Sequence, residues 1–307
     1  MSDIYDLAIL GGGPAGITAA IYASRARLNT IWIDKNFAPG GQVTATYAVD
    51  NYPGMPGISG MDLGEAFGAH ARKLGLEPQR EKILSLENIS GEIKTIRTKK
   101  HEYQAKALIL AFGAEHRKLD IPGEDDLSGL GVSYCATCDG AFFKDKNVAV
   151  VGGGNTALDD ALVLSFTSKK VYLIHRSDTF SGEKRLLEKL QEHDNVVFIL
   201  DSEVTAINGS ERLESLGIRN KVSGEEQTLD VDAVFIAIGH VPDNKAFASL
   251  VELDAYGYIK TDENCATSCP GIYAAGDGRV KKVRQLTTAA ADGTEAALAA
   301  CDYIDLL

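Results

Sequence analysis

At roughly 150 residues per domain, 307 residues make room for about two domains and rule out one small stapled scaffold. With 45% hydrophobic and 24% charged residues the composition is globular, which excludes a disordered or fibrous chain. Thirty-one basic residues against 43 acidic ones give a formal net charge of −12, and no basic run supplies the footprint that a nucleic-acid partner requires.

The first residues, Met1 to Asp6, are acidic where a secretory signal would be basic, so the N-terminus reads as mature and the protein as cytoplasmic. Ile4 to Leu10 is a short apolar run that predicts a strand. It ends in Gly11-Gly12-Gly13-Pro14-Ala15-Gly16, and a helix is expected from there to about Arg27. Leu7 to Ser24 carries no charge, but the glycines interrupt it near its middle, so no membrane span is expected. Thr30 to Ile33 predicts a second strand, and Asp34 stands at its tip. Strand, glycine turn, helix and acidic tip together make a dinucleotide-binding βαβ unit: Gly11 allows the tight turn, Gly13 lets backbone approach a pyrophosphate, and Gly16 lets helix and strand pack closely. A carboxylate at Asp34 suits the paired hydroxyls of a ribose.

The plan returns 141 residues later. Val148 to Val151 leads into Gly152-Gly153-Gly154-Asn155-Thr156-Ala157, a helix follows to about Ser165, and Lys170 to Ile174 ends at His175-Arg176. Ala157 is the alanine variant of the close-packing position, so a second dinucleotide site is expected. Two such sites on one chain point to a nicotinamide hydride passed to a flavin. A further echo pairs Ala107 to Gly113 with Ala233 to Gly239, each followed by a prolyl or charged linker, and domain crossings are expected near both. The tail from Lys245 is too short for a domain and is expected to rejoin the first half. The fold class is therefore α/β with two Rossmann-like domains, one inserted into the other: residues 1–113 with 244–307, and residues 114–243.

Between the halves lies Cys135-Ala136-Thr137-Cys138-Asp139-Gly140. A pair this close shuts a very small loop, gains little chain entropy from its crosslink, and reads as an exchangeable redox dithiol. The alternative is a zinc half-site completed by Cys265 and Cys269, against which stand the 130 residues between the pairs. No metal is expected, and Cys265, Cys269 and Cys301 read as ordinary cysteines. Asp139 disfavours a neighbouring thiolate by its charge and is better suited to giving and taking the protons that dithiol cycling requires. His70, His101, His116 and His193 lie among polar residues and are expected to be solvated. No H-E-x-x-H or G-x-S-x-G occurs, so a zinc protease or serine hydrolase has no footing.

With these motifs in place, the chain resembles the low-molecular-weight thioredoxin reductases over essentially its whole length. The likeness also rests on Gly40-Gly41-Gln42, Asn51-Tyr52-Pro53-Gly54, Ala237-Ile238-Gly239-His240, Gly276-Asp277-Gly278, Arg284-Gln285-Leu286 and Ala289 to Gly293. It implies a homodimeric thioredoxin-disulfide reductase that passes electrons from NADPH through FAD and Cys135-Cys138 to a thioredoxin-like protein. FAD would be held by Gly11, Gly13, Pro14, Ala15, Gly16, Asp34, Gly41, Gln42, Asn51, Gly276, Asp277, Arg284, Gln285 and Leu286. The nucleotide would be held by Gly152, Gly154, Asn155, Thr156, Ala157, His175 and Arg176. The resemblance also implies that Cys138 faces the flavin, that Cys135 attacks the partner disulfide, and that one domain turns about hinges near Gly113 and Gly239.

Three features depart from the family pattern. Where the family has H-R-R-x-x-x-R for the 2′-phosphate of NADPH, this chain reads His175-Arg176-Ser177-Asp178-Thr179-Phe180-Ser181, leaving NADPH, NADH and a ferredoxin donor as alternatives. Lys184 and Arg185 are near enough in sequence to compensate. Phe112 stands where threonine is common, and Arg279 follows Gly276-Asp277-Gly278. The rival readings are a flavin-linked dithiol oxidase, a ferredoxin:NADP reductase that needs no cysteine pair, and a flavoprotein that senses redox state without turnover.

Overall fold

Residues 4–46, 48–242, 244 and 247–307 are described in a computed structural model. The expectations placed on Met1 to Asp3, Asp243 and Lys245 lie outside the described residues. Two units emerge, Met1–Glu115 with Val241–Leu307 (unit 1) and His116–His240 (unit 2).

In chain order, unit 1 begins with β1 (Ile4–Leu10), α1 (Pro14–Arg25), β2 (Thr30–Asp34), α2 (Gly60–Lys73), β3 (Gln79–Arg80), β4 (Ile83–Glu87), β5 (Lys94–Thr98) and β6 (Glu102–Leu110). The first crossing is β7 (Ala114–His116). Unit 2 continues with β8 (Val132–Ser133), α3 (Ala136–Asp139), β9 (Asn147–Val151), α4 (Asn155–Ser165), β10 (Lys170–Ile174) and α5 (Lys184–Gln191). It closes with β11 (Val196–Ile199), β12 (Ser202–Gly209), β13 (Leu213–Asn220), β14 (Glu226–Asp230) and β15 (Ala233–Ile236). The second crossing, β16 (His240–Pro242), pairs with β7, and β17 (Ile272–Ala274) and α6 (Leu286–Asp305) complete unit 1.

The sheet of unit 1 runs β3-β2-β1-β6-β5-β4. Its strand β6 is shared: the first half pairs antiparallel with β5, and the second half pairs parallel with β17. Alternation along the strands builds a core on each face, as a period of two requires. Leu7, Ile9, Trp32, Ala107 and Ile109 point into a cluster with the alanines of α1 and α6, while Ala8, Leu10, Ile31, Ile33, Leu108 and Leu110 point into a second cluster with Phe247, Val251 and Ile259. The small residues Ala15, Ala19, Ala20 and Ala23 on α1 meet Ala289, Ala296, Ala297 and Ala300 on α6 in that first core, so these helices approach closely. Helix α1 stops at Arg25, two residues before its expected end, because Arg27 adopts a left-handed conformation (φ 62°) that cannot continue it.

Unit 2 repeats the scheme with a parallel sheet ordered β11-β10-β9-β15-β8 and a separate antiparallel sheet β12-β13-β14. Val148 and Val150 face α4 and α5, whereas Ala149 and Val151 face the antiparallel sheet. Among the described residues, no helix is long and apolar enough to cross a membrane.

Candidate functional site: two dinucleotide turns and a cysteine pair

In unit 1 the chain leaves β1 at Gly11 with φ 124°, and a side chain there would run into the Ala111 carbonyl at the end of β6. The indole Nε1–H of the fully buried Trp32 donates to the Gly11 carbonyl at 2.8 Å and pins the turn from below. Pro14 then occupies the first position of α1, where its missing N–H costs nothing and its φ suits a helix. The free N–H groups of this helix end face outward beside Gly13, which has nothing within 4 Å of where a side chain would begin.

That opening is part of a cavity of 520 Å³, within the usual range for small-molecule sites. Of the residues expected to hold FAD, Gly11, Gly13, Pro14, Ala15, Asp34, Gly41, Gln42, Gly276 and Asp277 line it. Gly16, Asn51, Arg284, Gln285 and Leu286 do not. Gly16 packs under the turn against the Gly11 backbone. The Asn51 amide donates to Gln285 Oε1 at 3.0 Å, Leu286 packs on Val43, Val49 and Leu63, and the Arg284 guanidinium lies 4.3 Å from the Tyr258 ring centre.

Two acids in the cavity wall show that a ligand fits. Asp34 Oδ2 and Asp277 Oδ1 are buried and have no hydrogen-bond partner among the described residues. Burial raises the pKa of Asp34, opposed by the Asn36 backbone N–H and by the charges of Arg80 and Lys35. Asp277 is likewise raised by burial, and Lys281 and Arg284 oppose that shift. Buried acceptors of this kind are costly unless a donor arrives. The hydroxyls of a dinucleotide supply donors to these acids, and its pyrophosphate supplies acceptors to the open helix end.

Sequence reasoning missed the wall formed by Glu81 to Leu84 and Lys35 to Asn36. Lys35 and Asn36 follow the tip of β2, Glu81 and Lys82 link β3 to β4, and Ile83 and Leu84 open β4, where no motif marks them. Phe112 and Arg279 now have a physical account. Phe112 lines the cavity and stacks on Phe247, with ring centres 4.7 Å apart and planes 9° from parallel. Arg279 donates to Asp292 Oδ1 at 2.8 Å and to Thr261 Oγ1 at 2.7 Å, while Asp292 Oδ2 accepts from Lys281 and from the Gly276 N–H. This buried group braces the turn that presents Asp277.

In unit 2, Gly152 (φ 153°) repeats Gly11: a side chain there would meet the Ala237 carbonyl at the end of β15. His175 fills the place of Asp34, its ring lying against Gly153 and stacked on Phe180 at 5.1 Å. Desolvation lowers its pKa, and Arg176 adds to that effect. Arg176 is exposed.

Cys135 and Cys138 are joined in a disulfide across the start of α3, with Cα atoms 5.3 Å apart. Ser133 links this pair to Asp139: its hydroxyl donates to Asp139 Oδ2 at 2.6 Å, and its oxygen accepts from the Cys135 N–H at 3.1 Å. Burial raises the pKa of Asp139, opposed by the Ser133 hydrogen bond. Cys265 and Cys269 are buried in unit 1, their thiols directed at the carbonyls of Asp292 and Ile89.

The solvated reading of His116 is corrected. Its ring stacks on Tyr134 at 5.0 Å and lies 4.5 Å from that of His240, and desolvation together with the neighbouring imidazole pushes its pKa down to about 4. His70 and His101 are exposed, although His101 also bonds Glu81 at 2.7 Å.

Two glycine turns at the ends of parallel strands, with a disulfide in a helix start, define a dinucleotide-dependent disulfide oxidoreductase. Residues 5–293 match the family described as pyridine nucleotide-disulphide oxidoreductase, and the chain belongs to it. Among its relatives is a thioredoxin reductase of Listeria innocua, 44% identical over 306 residues, covering 99% of this chain and 95% of that protein. Among solved structures, the thioredoxin reductase of Streptococcus pyogenes is 39% identical with a TM-score of 0.94 and full coverage of both chains. A ferredoxin-flavin thioredoxin reductase of Clostridium acetobutylicum is 31% identical with a TM-score of 0.55, again with full coverage of both.

Proposed function

We propose that this chain is a thioredoxin-disulfide reductase, drawing two electrons from NAD(P)H and delivering them to the disulfide of a thioredoxin-like protein. The observation that carries the reading is the Cys135–Cys138 disulfide in a chain that repeats the dinucleotide turn. Membership of the family and the named relatives support it.

Unit 1 is the FAD-binding domain in this reading, with the α1 helix end, Asp34 and Asp277 as its main polar contacts. Bound there, FAD supplies two-electron chemistry that joins hydride donors to disulfides. Unit 2 carries the pyridine nucleotide on its Gly152 to Ala157 turn. Once reduced, the Cys135 thiolate attacks one sulfur of the partner disulfide and the other sulfur leaves. Cys138 then displaces the partner from Cys135, which restores the Cys135–Cys138 bond and releases a dithiol. Asp139, kept protonated longer by burial, stands where it can exchange protons through Ser133. The protein acts as a homodimer in this reading.

Ferredoxin is the second donor considered, favoured by Ser177 and Ser181 standing where a 2′-phosphate would call for cations. The deciding experiment is an anaerobic titration of the flavin-loaded protein with NADPH and, separately, NADH, following loss of oxidised flavin absorbance. Near-stoichiometric bleaching by either is expected. No bleaching by either, with bleaching by reduced ferredoxin, overturns the nicotinamide donor. Cys135→Ser is expected to abolish reduction of a thioredoxin disulfide while leaving flavin content unchanged.

A further inference from the structure

The repeat relating the two units extends beyond the strand tips into the loops that cross the glycine turns. In unit 1 the Gly40 N–H donates to the Gly12 carbonyl at 2.8 Å, and Gly41 lies so close that a side chain would begin 3.0 Å from Gly13 Cα. In unit 2 the Ser181 and Gly182 N–H groups donate to the Gly153 carbonyl at 2.9 and 3.1 Å, and a side chain on Gly182 would begin 3.1 Å from the Gly154 carbonyl carbon. The spacing of 141 residues that separates Gly11 from Gly152 therefore also separates Gly40 from Ser181 and Gly41 from Gly182. The next position is Gln42 in unit 1 and Glu183 in unit 2.

Gln42 is neutral, lines the cavity of unit 1 and turns its amide to the Ala114 carbonyl. Glu183 is exposed and precedes α5. Its backbone N–H donates to Asn155 Oδ1 at 2.7 Å, and its carboxylate accepts from Asn155 Nδ2 at 3.3 Å. Asn155 is the first residue of α4, immediately after the glycine turn. A dinucleotide pyrophosphate sits at such a helix end, drawn by its free N–H groups and by the helix dipole.

We propose that Glu183 sets the affinity of unit 2 for nicotinamide dinucleotides by weakening its hold on their pyrophosphate, because its carboxylate is tethered to the helix end that the pyrophosphate must reach. The inference rests on the reading of unit 2 as the nucleotide-binding unit. Because the pyrophosphate is common to NAD and NADP, Glu183 lowers affinity for both alike and does not choose between them. Of the two acids on this loop, Asp178 and Glu183, only Glu183 bonds the turn among the described residues.

The test uses the flavin-loaded full chain and the redox-silent nucleotides NAD⁺ and NADP⁺, with Kd measured by calorimetry. Glu183→Gln copies Gln42 and is expected to tighten both nucleotides by about three- to tenfold at low ionic strength, with their ratio unchanged. Glu183→Lys is expected to tighten both further, and the gains are expected to shrink at about 0.5 M salt. Kd values that are measurable but within about twofold of the parent for both variants overturn the proposal. If no nucleotide binds the parent or either variant while excess dithiol still bleaches the flavin, the nucleotide reading of unit 2 falls and takes this inference with it.

Discussion

The turn at Gly11 and the turn at Gly152 share one backbone and differ in the side chains around it. Gly11 and Gly152 each lie against a carbonyl, from Ala111 and Ala237, where a side chain has no room. At positions free of that constraint the units part: Asp34 answers to His175, Trp32 to Leu173, Ala19 to Asp160 and Gln42 to Glu183. Unit 1 thus offers its cavity two buried acids that each have one oxygen without a partner among the described residues, while unit 2 places an imidazole under its turn and a carboxylate at its helix end. Close packing of backbone fixes which residues must repeat, and positions without that constraint diverge, in the core as well as in the cavity wall.

The sharpest way to break this comparison is to add a methyl group to each turn. Gly11→Ala forces a side chain into the Ala111 carbonyl at a φ that disfavours alanine, and a loss of about 5 kcal/mol with loss of bound flavin is expected. Gly152→Ala is expected to strain unit 2 while the protein retains its flavin. Flavin absorbance and urea unfolding of the two purified variants separate these outcomes, and equal flavin loss in both would remove the distinction between the turns.

A smaller effect follows from Ala19 and Asp160, which hold the same place on α1 and α4. Burial, with help from Asp159, raises Asp160 from 3.8 to about 7. A raised carboxyl favours the folded state while protonated, so its contribution is fully present below the unfolded pKa and is lost as pH rises through about 7. The difference amounts to about 4 kcal/mol between the two limits. Asp160→Asn is therefore expected to stabilise the protein at pH 8 and to flatten its stability between pH 4 and 8, measured as the urea midpoint against pH. The smallest change is at the strand tip. Asp34→Asn removes a charged acceptor from the cavity of unit 1 and, on the proposed reading of that cavity, is expected to weaken FAD about tenfold, corresponding to roughly 1.4 kcal/mol, as read by equilibrium dialysis.

Much of this organisation was legible in the sequence because it depends on local geometry. Gly11 to Gly16, Asp34, Gly152 to Ala157 and Cys135 to Cys138 mark themselves by spacing, and the strands of both βαβ units fall close to their expected places. The repeat of Gly40-Gly41-Gln42 in Ser181-Gly182-Glu183 is not legible in the sequence, since only one of three residues is shared and the equivalence is visible in hydrogen bonds to Gly12 and Gly153. The burial of His116 is hidden in the sequence for a similar reason. Its neighbours in sequence are polar, but its neighbours in space are the rings of Tyr134 and His240. The cavity wall at Glu81 to Leu84 comes from a run without periodicity, whose role depends on where the sheet carries it.

The shared strand β6 has a consequence for how the protein is made. Its second half waits for β17, whose three residues are synthesised only after the whole of unit 2. Unit 2 is continuous in sequence and can begin to form during translation, whereas the first segment of unit 1 emerges with one edge of β6 unfilled. Long-range closures of this kind are slow, and an unpaired edge is open to wrong partners in the interval. The antiparallel pairing of β5 with Glu102 to Ala105 shields part of that edge from the start, and Leu108, Ile109 and Leu110 are covered when the C-terminal segment arrives.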